Sequence, residues 1–377
     1  MKRYDAVIAG GGLIGASIAL ELARTGLQVA LFDAQEPGKE ASWASAGIIS
    51  PAPESPGMIS MVPICKASAS LYPEFVQLIE ELSGEVVGYR AKGSLEIVLG
   101  GDAQEEVSTV MAVHHGVGLA AEALTGEQAR ELEPSLTEEL QAAILRPDEA
   151  SVDNRALTSA TLKAARQQSA QIFTGNGAAA LWLEEGRCKG LLLAGDRVEA
   201  GWTIVAAGCF SSRIEGVARY APVFPTKGQM LALRCETVRL ERVLWAEKVY
   251  LVPRNDGRIL AGATVEHVGF DREVTAGGLR KLLSAAIELI PAFEKARIEE
   301  TWAGLRPDSP DHLPILGPTD LDGLLIATGH FRSGILLAPV TAMLVREWIC
   351  SQNVSVDWER FSPMRFLEAR KTQTAPG

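Results

Sequence analysis

Cysteine is scarce in this 377-residue chain and follows no pattern. Cys65, Cys188, Cys209, Cys235 and Cys350 are odd in number, scattered and never spaced C-x-x-C. That excludes a disulfide frame or thiolate zinc site and predicts reduced thiols in a cytosolic protein. Histidine supplies no metal set either: His114 and His115 are adjacent, and His267, His312 and His330 stand alone. No metal is expected. Basic clusters are also missing, and 36 Lys+Arg against 47 Asp+Glu leave a formal charge of −11. Nucleic acid, which needs a basic patch to meet its phosphates, is therefore not an expected partner. No apolar run reaches the roughly 18 residues that would suggest a spanning helix. The opening MKRYDAVIAG lacks a leader-cleavage pattern, so the expectation is a soluble cytoplasmic protein. What remains, 47% hydrophobic and 22% charged residues without repeats or low-complexity tracts, suits two compact domains or one with an insertion.

The first unit is a complete βαβ pattern. Residues 4–9 form a short apolar strand, Gly10-x-Gly12-x-x-Gly15 turns it into a helix with Ile14, Ile18 and Leu22 on one face, and Gly26 ends that helix. A second strand over 28–32 leads to Asp33, 21 positions past Gly12. Residues 41–63 read as a long loop, 89–99 as a strand pair, and 105–140 as helices with Pro134 between them. Asp153 is placed to cap a helix from about 155 to 168, followed by a strand at 171–173. Strands 181–183 and 191–193 pair through Glu185-Gly186, and 203–208 is a buried strand ending in Gly208. Residues 219–300 read as alternating strands, including a hairpin of 249–253 and 258–261 around Asn255-Asp256-Gly257. Residues 324–329 return to a buried strand, ending in Gly329, and a helix follows over 336–350 with Pro339 in its first turn.

Four segments carry chemistry. The glycine turn lets a pyrophosphate approach a helix N-terminus, and Asp33 can accept from a ribose diol while repelling a 2′-phosphate. Ser42-Trp43-Ala44-Ser45-Ala46-Gly47-Ile48 is small enough for its main chain to meet a flat ring system, or is simply a surface loop. Arg306, held between Leu305 and Pro307, can bind a carboxylate or pair with Asp308 or Asp311. The segment from Ala327 to Pro339 is a second strand–glycine-loop–helix element whose N–H groups favour negative charge.

Taken with YLVPR, WAGLRPDSPDHLPILG and ATGHFRSGILLAP, these segments resemble the flavin-dependent D-amino acid oxidase superfamily, and within it the glycine oxidases of thiamin biosynthesis. The likeness runs over nearly the whole chain. Its most diagnostic piece, GHFRSGILLAP, is similar to GHxRNGILLAP, with Ser333 for the usual asparagine and Phe331 where tyrosine is common. The resemblance implies an α/β fold in which a Rossmann-like FAD-binding domain (1–85, 146–218 and 301–365) is interleaved with a strand-rich α+β substrate domain (86–145 and 219–300), with 366–377 a frayed tail. It implies FAD held by Gly10, Gly12, Leu13, Ile14, Gly15, Asp33, Ala34, Ser42, Ala46, Gly47, Ile48, Ala178, Gly208, Gly329, His330, Phe331, Arg332, Ser333, Gly334, Ile335 and Leu336. Ala178 is expected in the strand after Phe173. Cys350 lies in a helix past the loop, so FAD is expected to be non-covalent. Arg306 matches the substrate-carboxylate arginine, Tyr250 assists it, and Arg332 stands near the substrate; His330 is expected to bond through its backbone. The implied reaction oxidises glycine or a small D- or N-methyl amino acid with O2, in a homo-oligomer, a tetramer by resemblance. A dehydrogenase passing electrons to a quinone, a sarcosine-type oxidase and a non-catalytic FAD-holding subunit are the alternatives.

Overall fold

The computed structural model describes residues 3–53 and 56–367. Two eight-stranded sheets organise them. The first runs Ile315–Pro318, Leu324–Thr328, Arg197–Val205, Arg3–Ala9, Val29–Phe32, Gln171–Phe173, and the last five of these are parallel. The hairpin Ala180–Glu184 and Arg187–Leu192 joins antiparallel to Arg197–Val205. Because both faces of the parallel part are covered, its strands are apolar at nearly every position, with alternate residues feeding different cores. Ala6 and Ile8 pack with the helices Leu13–Arg24, Val62–Ser83, Asn154–Gln167 and Ala338–Ser351, whereas Tyr4, Val7 and Ala9 pack with the hairpin. Asp153 caps Asn154–Gln167 as its position predicts, accepting from the Arg155 and Ala156 N–H groups at 3.0 Å.

The second sheet runs Arg297–Asp308, Phe224–Arg234, Ile259–Gly262, Val249–Pro253, Val243–Ala246, Ser94–Val98, Ala142–Arg146, Glu122–Thr125. One face buries Leu95, Leu231, Leu244 and Leu251 against the helix Ala276–Leu289. The other carries Met230 and Trp302 toward Ala44 and Ala46 of the first unit. Register aligns Trp302, Met230, Gly262, Tyr250, Trp245 and Glu96 in one row across six strands.

Several expectations are corrected. Residues 89–99 hold one strand, Ser94–Val98, since Arg90 makes only an isolated bridge to Ser151. The 105–140 segment is a helix Ala103–Gly116, a strand Glu122–Thr125 and a helix Gly126–Leu132, so Pro134 follows the second helix rather than separating two. Residues 219–300 include the 14-residue helix Ala276–Leu289, capped by Thr275 Oγ1. The run 41–63 is partly ordered by a helical turn, Ala41–Ala44, and by Ile48–Ile49 pairing with Ala150–Ser151. Strand Arg297–Asp308 lies wholly in the second sheet, across the expected division at 300/301. Of the expected tail, Phe366 and Leu367 pack on the first sheet's outer core, and the rest lies outside the described residues.

Candidate active site and cofactor cleft

The first βαβ unit builds a cradle that side chains would fill. A Cβ on Gly10, whose φ is +109°, would run into the Ala206 backbone, and one on Gly15 into the Gly10 carbonyl. Gly12 begins the helix Leu13–Arg24, whose first turn holds no acid, and Ser42 Oγ accepts from Leu13 N–H at 2.9 Å. Asp33 accepts from Gly11 N–H at 2.7 Å and Gln35 N–H at 2.9 Å, which fixes its carboxylate at the cleft edge. A pyrophosphate at the helix start and a ribose diol on Asp33 fit these groups.

The Ser42–Ile48 loop is locked rather than loose. Asn154 Nδ2 donates to Ser42 O (2.8 Å) and Trp43 O (3.0 Å), and Trp302 Nε1 donates to Ala44 O (2.9 Å). Arg254 donates to Ala46 O (3.0 Å) and to Asn154 Oδ1 (2.7 Å). The Arg155 guanidinium stacks 3.7 Å from the Trp43 ring and pairs with Glu300. Arg254 is buried, and burial lowers its pKa to about 10, leaving it charged at neutral pH. Asn154 and Arg254 were not singled out from sequence. The arginine ends the YLVPR segment, but its partners are 100 and 208 positions away.

The second glycine loop closes the cleft. Phe331 adopts φ +47°, a left-handed conformation costly for a side-chain-bearing residue, and its N–H donates to Pro307 O at 2.9 Å. The Ile335 and Leu336 carbonyls are held at 2.6 Å by the Tyr72 and Ser68 hydroxyls. His330 is buried with Nε2 3.1 Å from Thr341 Oγ1, and burial lowers its pKa to about 3. It is a neutral structural ring at working pH. Below pH 6.5 the unfolded chain gains a proton that the folded chain refuses until about pH 3. His330 therefore removes up to about 1.4 kcal/mol of stability per pH unit over that window. His330→Gln is expected to flatten the pH dependence of urea unfolding between pH 6 and about 4; equal slopes would contradict this.

On the second sheet, Arg306 shares a face with Trp302 and Gly304. Its guanidinium donates to Thr264 O at 3.1 Å and Lys227 O at 3.4 Å, and lies where a Cβ on Gly228 would sit. Asp308 is engaged by Thr226 and His312, and Asp311 by Arg365. Tyr250 is half-buried, its hydroxyl 3.7 Å from Met230 Sδ and its ring edge-on to Trp245 at 5.5 Å. Trp245 is held by the buried carboxylate of Glu149, which also accepts from Ser50 and Ser94 at 2.5 and 2.7 Å. Arg332 is exposed at the cleft, its guanidinium 5.3 Å from the Phe331 ring.

These pieces enclose one cavity of about 1010 Å³. Every residue expected to hold cofactor or substrate lines it except Gly15, which packs helix on strand, and Gly329, a left-handed hinge at φ +69°. Ala178 lines it from the connection before Ala180–Glu184, not from a strand. Among the described residues there is no metal-binding cluster, and no helix is long and apolar enough to cross a membrane.

The chain is 38% identical over 371 residues to the bifunctional protein ThiO/ThiG of Synechocystis sp., covering 96% of this chain and 54% of that protein. It thus spans about half the length of that relative. It is 32% identical to the glycine oxidase of Geobacillus kaustophilus, covering 97% and 98% of the two chains. The crystal structure of glycine oxidase from Geobacillus kaustophilus superposes with a TM-score of 0.90 at 31% identity, covering 97% of this chain and 99% of the other. The family of FAD dependent oxidoreductases designated DAO matches residues 5–348, and with a glycine cradle and acid that fit its cofactor, the chain belongs to that family.

Proposed function

We propose that the protein oxidises glycine or a small D- or N-methyl amino acid to the imine, which water converts to the 2-oxo acid and ammonia (methylamine from an N-methyl substrate), and that it serves thiazole formation in thiamin biosynthesis. The observation that carries this reading is Arg306, fixed by two carbonyls over Gly228 on the wall of the cleft that the glycine cradle opens into. Gly10, Gly12, Ser42 and Asp33 would hold FAD, which would supply a hydride acceptor for the Cα hydrogen and a route for the electron pair to O2, with H2O2 as product.

The protein's part is orientation. Arg306 takes the carboxylate as a bidentate pair and the Tyr250 hydroxyl supports it, while Arg332 adds positive charge at the cleft. Gly228, Gly262 and Gly304 keep side chains out of that face, leaving room for the arginine, the Tyr250 ring and the Ser42–Ile48 loop. The substrate amine must be neutral for its lone pair to assist loss of hydride, and His330 is no proton donor here. The relatives named glycine oxidase support glycine as substrate. We assign the first sheet and its helices to the cofactor and the second sheet, including all of Arg297–Asp308, to the substrate. A reducing cytoplasmic location fits five cysteines with no disulfide among the described residues.

Anaerobic mixing of the yellow protein with glycine, sarcosine, D-alanine and D-proline is expected to bleach the flavin. In air, one H2O2 should form per 2-oxo acid. Bleaching with dye reduction but no H2O2 identifies a quinone-linked dehydrogenase, and no bleaching at all identifies a non-catalytic subunit.

A further inference from the structure

Arg306 reaches its acceptors across a neighbouring strand. It belongs to Arg297–Asp308, which pairs with one side of Phe224–Arg234, and its guanidinium passes over Gly228 to the Thr264 and Lys227 carbonyls. On the other side of Phe224–Arg234, strand Ile259–Gly262 stops pairing at Met230 and Gly262. Beyond that point the connection 263–275 takes its place. Thr264 N–H donates to Gln229 O at 3.3 Å, and Lys227 and Glu266 exchange main-chain bonds of 2.9 and 3.0 Å. The carbonyl that receives Arg306 at 3.1 Å therefore lies in an irregular segment, outside the regular strands.

Gly228 and Met230 face the cleft, so Lys227 and Gln229 point to the opposite face of the sheet. There Lys227 is 1% exposed, and its ammonium ties the connection down at two places, 2.8 Å from Asp271 Oδ2 and 3.6 Å from Glu266 Oε2. Glu266 also accepts from Thr264 Oγ1, and from Gln229 Nε2 at 2.7 Å. One carboxylate thus joins the lysine to the residue whose carbonyl holds Arg306. A cation this deeply buried is screened much less by salt than a surface one. Both carboxylates are partly exposed, so without the lysine they can take up water and move apart.

We propose that the Lys227 ammonium is a positioning group for Arg306: by clamping Glu266 and Asp271 it holds the connection against Phe224–Arg234 and so aims the Thr264 carbonyl at the guanidinium. Lys227 then acts twice, with its carbonyl on Arg306 directly and with its ammonium through Thr264. The ammonium lies on the face away from the cleft and touches neither substrate nor flavin. The inference rests on the oxidase reading above, with the substrate carboxylate on Arg306.

The test uses the FAD-loaded protein and acetate, a carboxylate with no amine to oxidise, whose Kd is read from the flavin absorbance difference. Lys227→Met keeps the stem and removes the charge. It is expected to raise the acetate Kd and the KM for glycine together by about tenfold, the worth of one charge-assisted hydrogen bond. The change in kcat should be smaller, and flavin loading should match the unaltered protein. A lowered melting temperature with unchanged acetate Kd and KM identifies a purely structural ion pair and overturns the proposal. If Lys227→Met does not fold, Asp271→Ala decides, because that side chain is 42% exposed. Acetate binding weakened about threefold supports the clamp, and unchanged binding overturns it. Arg306→Ala separates the two readings. If it weakens acetate binding and Lys227→Met does not, the clamp falls and the carboxylate role of Arg306 stands. If neither variant weakens it, or glycine fails to bleach the flavin, both fall.

Discussion

Replacing Arg306 with alanine is expected to raise KM for glycine by about 10²–10³-fold while the flavin absorbance of the purified protein stays unchanged. The magnitude is that of a desolvated, bidentate guanidinium–carboxylate pair, about 3–4 kcal/mol at 1.4 kcal/mol per decade. The selectivity of the effect comes from position. Arg306 belongs to strand Arg297–Asp308 of the second sheet and donates to Thr264 and Lys227 carbonyls of that same unit. It is not one of the groups that build the glycine cradle on the other side of the cleft. Arg306→Lys should fall between, because a lysine keeps the charge but loses the planar fork. Steady-state kinetics with flavin-to-protein absorbance ratios measure both halves, and an unchanged KM would remove Arg306 from the carboxylate role.

Gly10→Ala is expected to yield protein that no longer retains FAD, with affinity lowered at least about 10²-fold. Two costs add here: a left-handed backbone at φ +109° and a Cβ driven into the Ala206 backbone, each of order 1–3 kcal/mol. Neither can be relaxed by a side chain, since the Gly10 N–H is tied to Phe32 O and Ala206 N–H to Ala9 O, both at 2.8 Å. Gly26→Ala is the control. Gly26 is also left-handed, at φ +86°, but open space surrounds its Cβ position, so only strain of about 1 kcal/mol is expected, with FAD loading intact. Equal flavin loss in both variants would show that backbone strain, not the steric wall at Ala206, is what matters.

Legibility of the fold varied with the range of the interactions involved. The helix starting at Asn154 was readable because its cap, Asp153, is adjacent in sequence. The helix Ala276–Leu289 was as readable in principle, with Thr275 at its start and Leu279, Leu282, Ala286 and Leu289 at helical spacing, but Gly277-Gly278 inside its first turn obscured it. The edge strand Glu122–Thr125 carries one buried residue in four and so has almost no hydrophobic signal. Residues 89–99 resemble a strand pair in sequence, but the backbone of Arg90 forms only an isolated bridge with Ser151.

By itself, the sequence determined the dinucleotide turn, the acid at Asp33 and the rigid setting of Arg306, because backbone dihedral preference, helix capping and strand periodicity act within a few residues. Only the tertiary structure decided that Arg254 and Asn154 hold the Ser42–Ile48 loop and that Glu149 fixes Trp245 beside Tyr250. Buried hydrogen bonds join whatever chain segments packing brings together, and no local pattern records which carbonyl or ring 100 residues away will be the partner.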